Sequence, residues 1–79
     1  MTAPIEETIF TLLAEKAPGK TIAPEDVAKA ADPKGWRRLL GQVRSTAVGL
    51  ARQDKLVITR HNKPADPNTF KGVYRLRLP

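Results

Sequence analysis

The chain has no cysteine, one histidine and only four aromatic residues, one tryptophan, one tyrosine and two phenylalanines. Without cysteine there is neither a disulfide framework nor a thiolate metal site, an absence that fits a reducing compartment. The lone His61 has no metal-ligand type of residue close by in sequence, and the chain has no glycine-rich phosphate loop. Most nucleophile, base and metal constellations are thereby removed, so neither an enzyme, nor a metal, nor a cofactor, nor a small-molecule substrate is expected. The adjacent acids Glu6-Glu7 and Glu25-Asp26 stand at helix starts, where the helix dipole accounts for them. No apolar run approaches the ~18 residues that span a bilayer, and the opening MTAPIEETIF has no basic segment of a secretion signal. No membrane association and a cytoplasmic location are expected. Aromatics are also too few for a single-strand stacking surface, which needs several exposed rings. Trp36, Phe10 and Tyr74 read as core, while Phe70 either folds back on the sheet or lies exposed.

What the chain does have is positive charge, unevenly placed. Its 79 residues carry a net charge of +6 and an apolar fraction of 41%. That is enough for one small domain, of a size that buries only about 60% of its unfolded surface. Residues 1–32 hold six acids and three bases, a balance of −3, whereas residues 33–79 hold eleven bases and two acids, a balance of +9. Such polarity predicts a positive face that attracts polyanions.

Apolar spacing places a first helix from about Pro4 to Ala17, with Ile5, Ile9, Leu12 and Leu13 as its buried stripe and Phe10 widening it. Pro18 and Gly19 stop it. Lys20-Thr21-Ile22 is an extended piece too short to stand unless it pairs with another strand. Pro24 opens a short helix through Ala31 whose Val27, Ala28, Ala30 and Ala31 allow close packing. Asp32-Pro33-Lys34-Gly35 is a turn in which Asp32 is the expected N-cap of the next helix and Pro33 its first residue.

The chain is organised around that next helix, WRRLLGQVRSTAVGLARQDK from Trp36 to Lys55, with its helical part at 36–53. At about 100° per residue, Trp36, Leu39, Leu40, Val43, Ala47 and Leu50 share one face. Arg38, Gly41, Ser45, Gly49 and Arg52 take the opposite face, with Gln42 beside them and Arg37 and Arg44 on a flank. The period then changes to two. Leu56 to Arg60 is a strand with Leu56 and Ile58 inward, and Gly72 to Leu78 is another with Tyr74, Leu76 and Leu78 inward. Between them His61 to Lys71 reads as a polar loop whose prolines keep it off the ladder.

The order helix, strand, helix, helix, strand, loop, strand is α+β and is that of a winged helix over residues 1–79, with the loop as wing. The stretches GKTIAPEDVAKA and GWRRLLGQVRSTAVGLARQDKLVITR, the Asp66-Pro67 loop and GVYRLRL together resemble a family of small bacterial proteins known only as a domain of unknown function. The resemblance covers nearly the whole chain and implies a winged-helix fold. It brings no activity with it.

On the residues themselves, the expected partner is double-stranded DNA, with the chain a transcription-related accessory module and monomeric. Arg38 and Gln42 would reach base edges, since Arg pairs bidentately with guanine and Gln with adenine. Ser45 would bond a base or a phosphate, and Lys34, Arg37, Arg44 and Arg52 would neutralise phosphates. In the wing, His61, Lys63 and Lys71 would touch flanking backbone or minor groove. Gly41, Ser45 and Gly49 form a smooth stripe that lets DNA or a partner helix approach closely, Val48 being buried in the latter case. The alternative is a protein-binding winged helix with an acidic partner, which an exposed apolar patch would distinguish. RNA is a further polyanion for the same surface. Charge reversal at Arg38 and Arg44 is expected to abolish DNA binding and leave the thermal transition nearly unchanged.

Overall fold

A computed structural model describes residues 5–17, 19–61 and 63–79. The described residues form helices α1 (Ile5–Ala14), α2 (Pro24–Ala31) and α3 (Trp36–Arg52), then strands β1 (Val57–Arg60), β2 (Lys63–Pro64) and β3 (Arg75–Arg77). The class is α+β, three helices followed by an antiparallel sheet in the order β2-β1-β3.

In α1 the four-residue spacing of Ile5, Ile9 and Leu13 makes the buried stripe. The expected start at Pro4 and the stop at Pro18 lie outside the described residues. The helix ends three residues earlier than expected. Glu15 N–H donates to Leu12 O at 3.3 Å and Lys16 N–H to Leu13 O at 3.1 Å, tightening the last turn before Ala17 can join it.

The extended piece pairs as its brevity requires. Ile22 N–H donates to Leu76 O at 2.8 Å and Leu76 N–H to Ile22 O at 2.9 Å, so Ile22 sits beyond β3 as an isolated bridge. Pro24 starts α2, and the Asp26 carboxylate turns back to accept the Ala23 N–H at 3.1 Å. Val27 and Ala28 are fully buried, while Ala30 is exposed.

Asp32 caps differently from expectation. Its Oδ1 accepts the N–H groups of Lys34 (3.2 Å) and Gly35 (3.1 Å), closing a turn over 32–35. With those donors satisfied inside the turn, Gly35 becomes the residue preceding α3, and Pro33 stays outside the helix. At its far end α3 closes in a Schellman motif: Lys55 N–H donates to Leu50 O and Asp54 N–H to Ala51 O, at 3.0 and 3.1 Å. Asp54 occupies the left-handed position at φ 59, a conformation aspartate tolerates better than most side chains.

Val57, Ile58 and Thr59 of β1 face Arg77, Leu76 and Arg75 of β3. Two corrections concern the C-terminal third. Lys63 and Pro64, expected in a loop held off the ladder, pair with Arg60 and Thr59. Because β2 is the edge strand, the N–H that Pro64 lacks is not required, and the next donor, Ala65 N–H, reaches Ile58 O at 2.8 Å. Leu78, expected inward by alternation, is 45% exposed. Pairing of β3 with β1 stops at Val57↔Arg77, so no strand lies over it.

The core joins α1, α2, α3, β1 and β3, while both residues of β2 are exposed. Ile9, Ile22, Val27, Val43, Leu56, Ile58 and Leu76 are its largest fully buried side chains. Phe70 belongs to this core, buried and edge-on to Tyr74 with ring centroids 5.0 Å apart.

Candidate nucleic-acid interface

Burial divides α3 as its sequence period demands. Val43, Ala47 and Leu50 are buried, with Trp36, Leu39, Leu40, Val48 and Ala51 packed partly against the core. Arg37, Arg38, Gly41, Gln42, Arg44, Ser45 and Arg52 are exposed. Trp36, expected as core, is half-buried, and its ring lies under two cations, Lys29 Nζ at 4.7 Å and Arg37 at 5.1 Å from the centroid.

The arginines of the long helix fall into two kinds. Arg38 is open: its side chain is 83% exposed, and its contact is a 3.8 Å pair with Asp32. An exposed pair at that length is weak and screened by salt, so Arg38 exchanges partners readily. Arg37 is likewise exposed, with its guanidinium on the Trp36 ring. Arg44 and Arg52 have internal partners. Arg44 donates an N–H to Phe70 O at 3.0 Å and lies 4.2 Å from the centroid of the Phe70 ring. Arg52 Nε–H donates to Asn68 Oδ1 at 2.7 Å. Both therefore tie α3 to the loop that follows β2.

That loop is prepared to receive them. Asn68 N–H donates to Asp66 Oδ1 at 2.9 Å, and Thr69 and Phe70 N–H groups donate to Asp66 O at 3.2 and 3.1 Å. The aspartate and Pro67 thus fold 66–70 into one turn that presents the Asn68 amide and the Phe70 carbonyl to the helix. Asp66-Pro67-Asn68 carried a turn signal in the sequence. Nothing there indicated that its groups meet arginines 16 and 26 residues earlier.

The loop residues expected to contact DNA stand apart from these ties. His61 is exposed in the turn after β1, at φ 52. Lys63 is exposed on β2, and Lys71 is exposed beyond Phe70. Lys34 is exposed in the turn before α3. Gln42 and Ser45 lie exposed between the two sets of helix cations. Gly41 and Gly49 have open space outside them: a Cβ built at either meets no atom within 4 Å. Val48, expected to be buried where a partner helix covers the stripe, already packs partly against this chain's own core.

Burial pushes the Tyr74 phenol above its ordinary value of 10.0, and the nearby Arg44 charge pulls it partly back. Among the described residues no group of three or more His, Cys, Asp or Glu side chains is placed to hold a metal ion. No helix there is long and apolar enough to cross a membrane.

No curated protein matches the chain. The model of one family, described as "Protein of unknown function (DUF3253)", matches residues 2–79. The resemblance read from the motifs is thus to a domain-of-unknown-function family that spans the chain, and the protein belongs to that family, DUF3253.

Proposed function

We propose that this chain is a winged-helix module that binds double-stranded DNA through the outward face of α3 and the loop arm following β1. The observation that carries the reading is the set of Arg37, Arg38, Gln42 and Ser45, exposed together on a helix whose opposite face is buried. A rigid helix with cations and one amide outward is the form that a major groove accepts. The arm supplies His61, Lys63 and Lys71, three exposed polar or cationic side chains for flanking phosphates.

Arg38 and Gln42 take the base edges in this reading. Ser45 bonds a base or a phosphate, and Lys34 and Arg37 neutralise phosphates. Arg44 and Arg52 act chiefly through position, since their bonds to Phe70 and Asn68 hold the arm at the helix. With the arm already fixed, little ordering entropy is lost on binding. Gly41 and Gly49 keep the helix surface low between the arginines, so the duplex approaches without a side chain in its way. The module works as an accessory or regulatory element, without a cofactor.

The test is Arg37→Glu with Arg38→Glu, a pair chosen because neither side chain ties the arm. Fluorescence anisotropy with a labelled random duplex should show at least a hundredfold loss of affinity, or about 2.8 kcal/mol at 1.4 kcal/mol per tenfold. Full affinity in that folded variant would remove α3 from the interface.

A further inference from the structure

Beside the arginine face lies a groove of about 560 Å³ that DNA does not explain. One wall is Leu40 and Gly41 of α3, a second is Pro24 at the start of α2, and the third is Val73 with Tyr74. These surfaces are apolar, and a phosphodiester backbone gains nothing from them.

Val73 is 85% exposed, the most exposed large apolar residue described. Its carbonyl accepts Arg60 Nε–H at 3.1 Å, so the backbone that carries it is held. Two arginines stand at the rim, both already positioned. Arg44 is fixed by Phe70, and Arg75 donates to Thr21 Oγ1 at 2.6 Å and to Thr21 O at 3.3 Å. Across the Val73–Tyr74 ridge a second recess of about 140 Å³ adds Arg60 and His61. The surroundings are therefore cationic, with Glu25 as the one acid lining either recess. Gly41, which keeps the helix surface low for the duplex, opens this groove as well. Glycine is disfavoured inside a helix, yet no atom of this chain within 4 Å requires the lack of a side chain there. Its absence widens the groove.

We propose that this groove docks an acidic linear segment of a partner protein. One large apolar side chain of that segment sits against Val73 and Leu40, and its flanking carboxylates meet Arg44 and Arg75. Charge selects the occupant. A second copy of this chain, at net +6, would bring its own positive charge to a cationic rim. An acidic segment is complementary to it, and the positioned arginines lose little freedom on pairing.

The experiment selects a phage-displayed library of random linear peptides on the immobilised full chain, then measures synthetic versions of the enriched sequences by anisotropy. The selected peptides should carry one or two large apolar residues among aspartates and glutamates. Val73→Ser should weaken them about tenfold, the loss expected for one buried aliphatic contact. Gly41→Gln, which fills the groove and suits a helix, should abolish them. Binding of a random duplex should be unchanged in Val73→Ser, which separates this proposal from the DNA reading. The proposal is overturned by selection without acidic, apolar-anchored sequences. It is equally overturned by peptides indifferent to both substitutions, or by a Val73→Ser protein that loses duplex affinity, which would assign the groove to nucleic acid.

Discussion

Replacing Arg44 by alanine separates two roles for one side chain, a solvated cation waiting for a phosphate and a strut between helix and arm. A solvated surface arginine changes stability by no more than about 0.5 kcal/mol when removed. The strut makes two contacts, a charged N–H on the Phe70 carbonyl at 3.0 Å and a guanidinium 4.2 Å from the Phe70 ring. A hydrogen bond from a charged group contributes about 1.5–3 kcal/mol, and a cation over an aromatic ring about 0.5–1 kcal/mol at an exposed site. Arg44 is exposed, so water replaces part of both, and the low end of each range applies. Alanine returns a few tenths of a kcal/mol through helix propensity. The expected net loss is about 1.5–2 kcal/mol. For a domain of this size each kcal/mol moves the Tm by roughly 4–8 °C, so Arg44→Ala should melt about 6–16 °C below wild type. Circular dichroism melts read this directly, with Arg38→Ala as the open-arginine control. A Tm for Arg44→Ala within about 2 °C of wild type would refute the strut. The same numbers revise the expectation that charge reversal at Arg38 and Arg44 spares the thermal transition, since only Arg38 is free of such a role.

Gly41→Ala should raise stability by up to about 1 kcal/mol, because the new methyl meets no atom within 4 Å and alanine is the better helix former. If close approach is what the glycine serves, duplex affinity should fall in the same protein. Thermal melts and anisotropy on one sample check both, and unchanged affinity would detach the glycine stripe from binding. Tyr74 should titrate above its ordinary 10.0, read by ultraviolet absorbance of the phenolate. The folded state holds this proton more tightly than the unfolded state. Its contribution is therefore fully present below pH 10 and is lost as pH rises through the folded value. Arg44→Ala removes the opposing positive charge and should move the titration higher still. A Tyr74 that titrates at or below 10.0 would contradict its burial.

Periodicity made the helices legible, because each buries one face and the spacing of Ile5, Ile9 and Leu13 or of Val43, Ala47 and Leu50 records it. It also fixed which of Val73, Tyr74, Arg75 and Leu76 face in. What it could not supply were competitions between local partners. Asp32 could cap a helix at Pro33 or close a turn onto Gly35, and two N–H groups decided for the turn. Pro64 is excluded from a central strand but permitted at an edge, and sheet order is not written in the local pattern. The site divides in the same way. The exposed cations of α3 followed from the helical period alone. That Arg44 and Arg52 already hold Phe70 and Asn68 depends on how the chain folds back, which spacing along one helix does not encode. The apolar groove around Val73 joins three elements distant in sequence and was invisible for that reason.

The central claim is best tested by the salt dependence of duplex binding. With a labelled random duplex titrated at several salt concentrations, log affinity should fall with log salt by about 0.9 for each phosphate neutralised. On a random duplex, where no base is selected and Arg38 meets phosphate instead, the exposed cations Lys34, Arg37, Arg38, Lys63 and Lys71 predict a slope near 4 or more, and Arg37→Glu with Arg38→Glu should lower it by about two. No binding at low salt, or a slope that the double variant leaves unchanged, would contradict the assignment of α3 as the DNA-contacting helix.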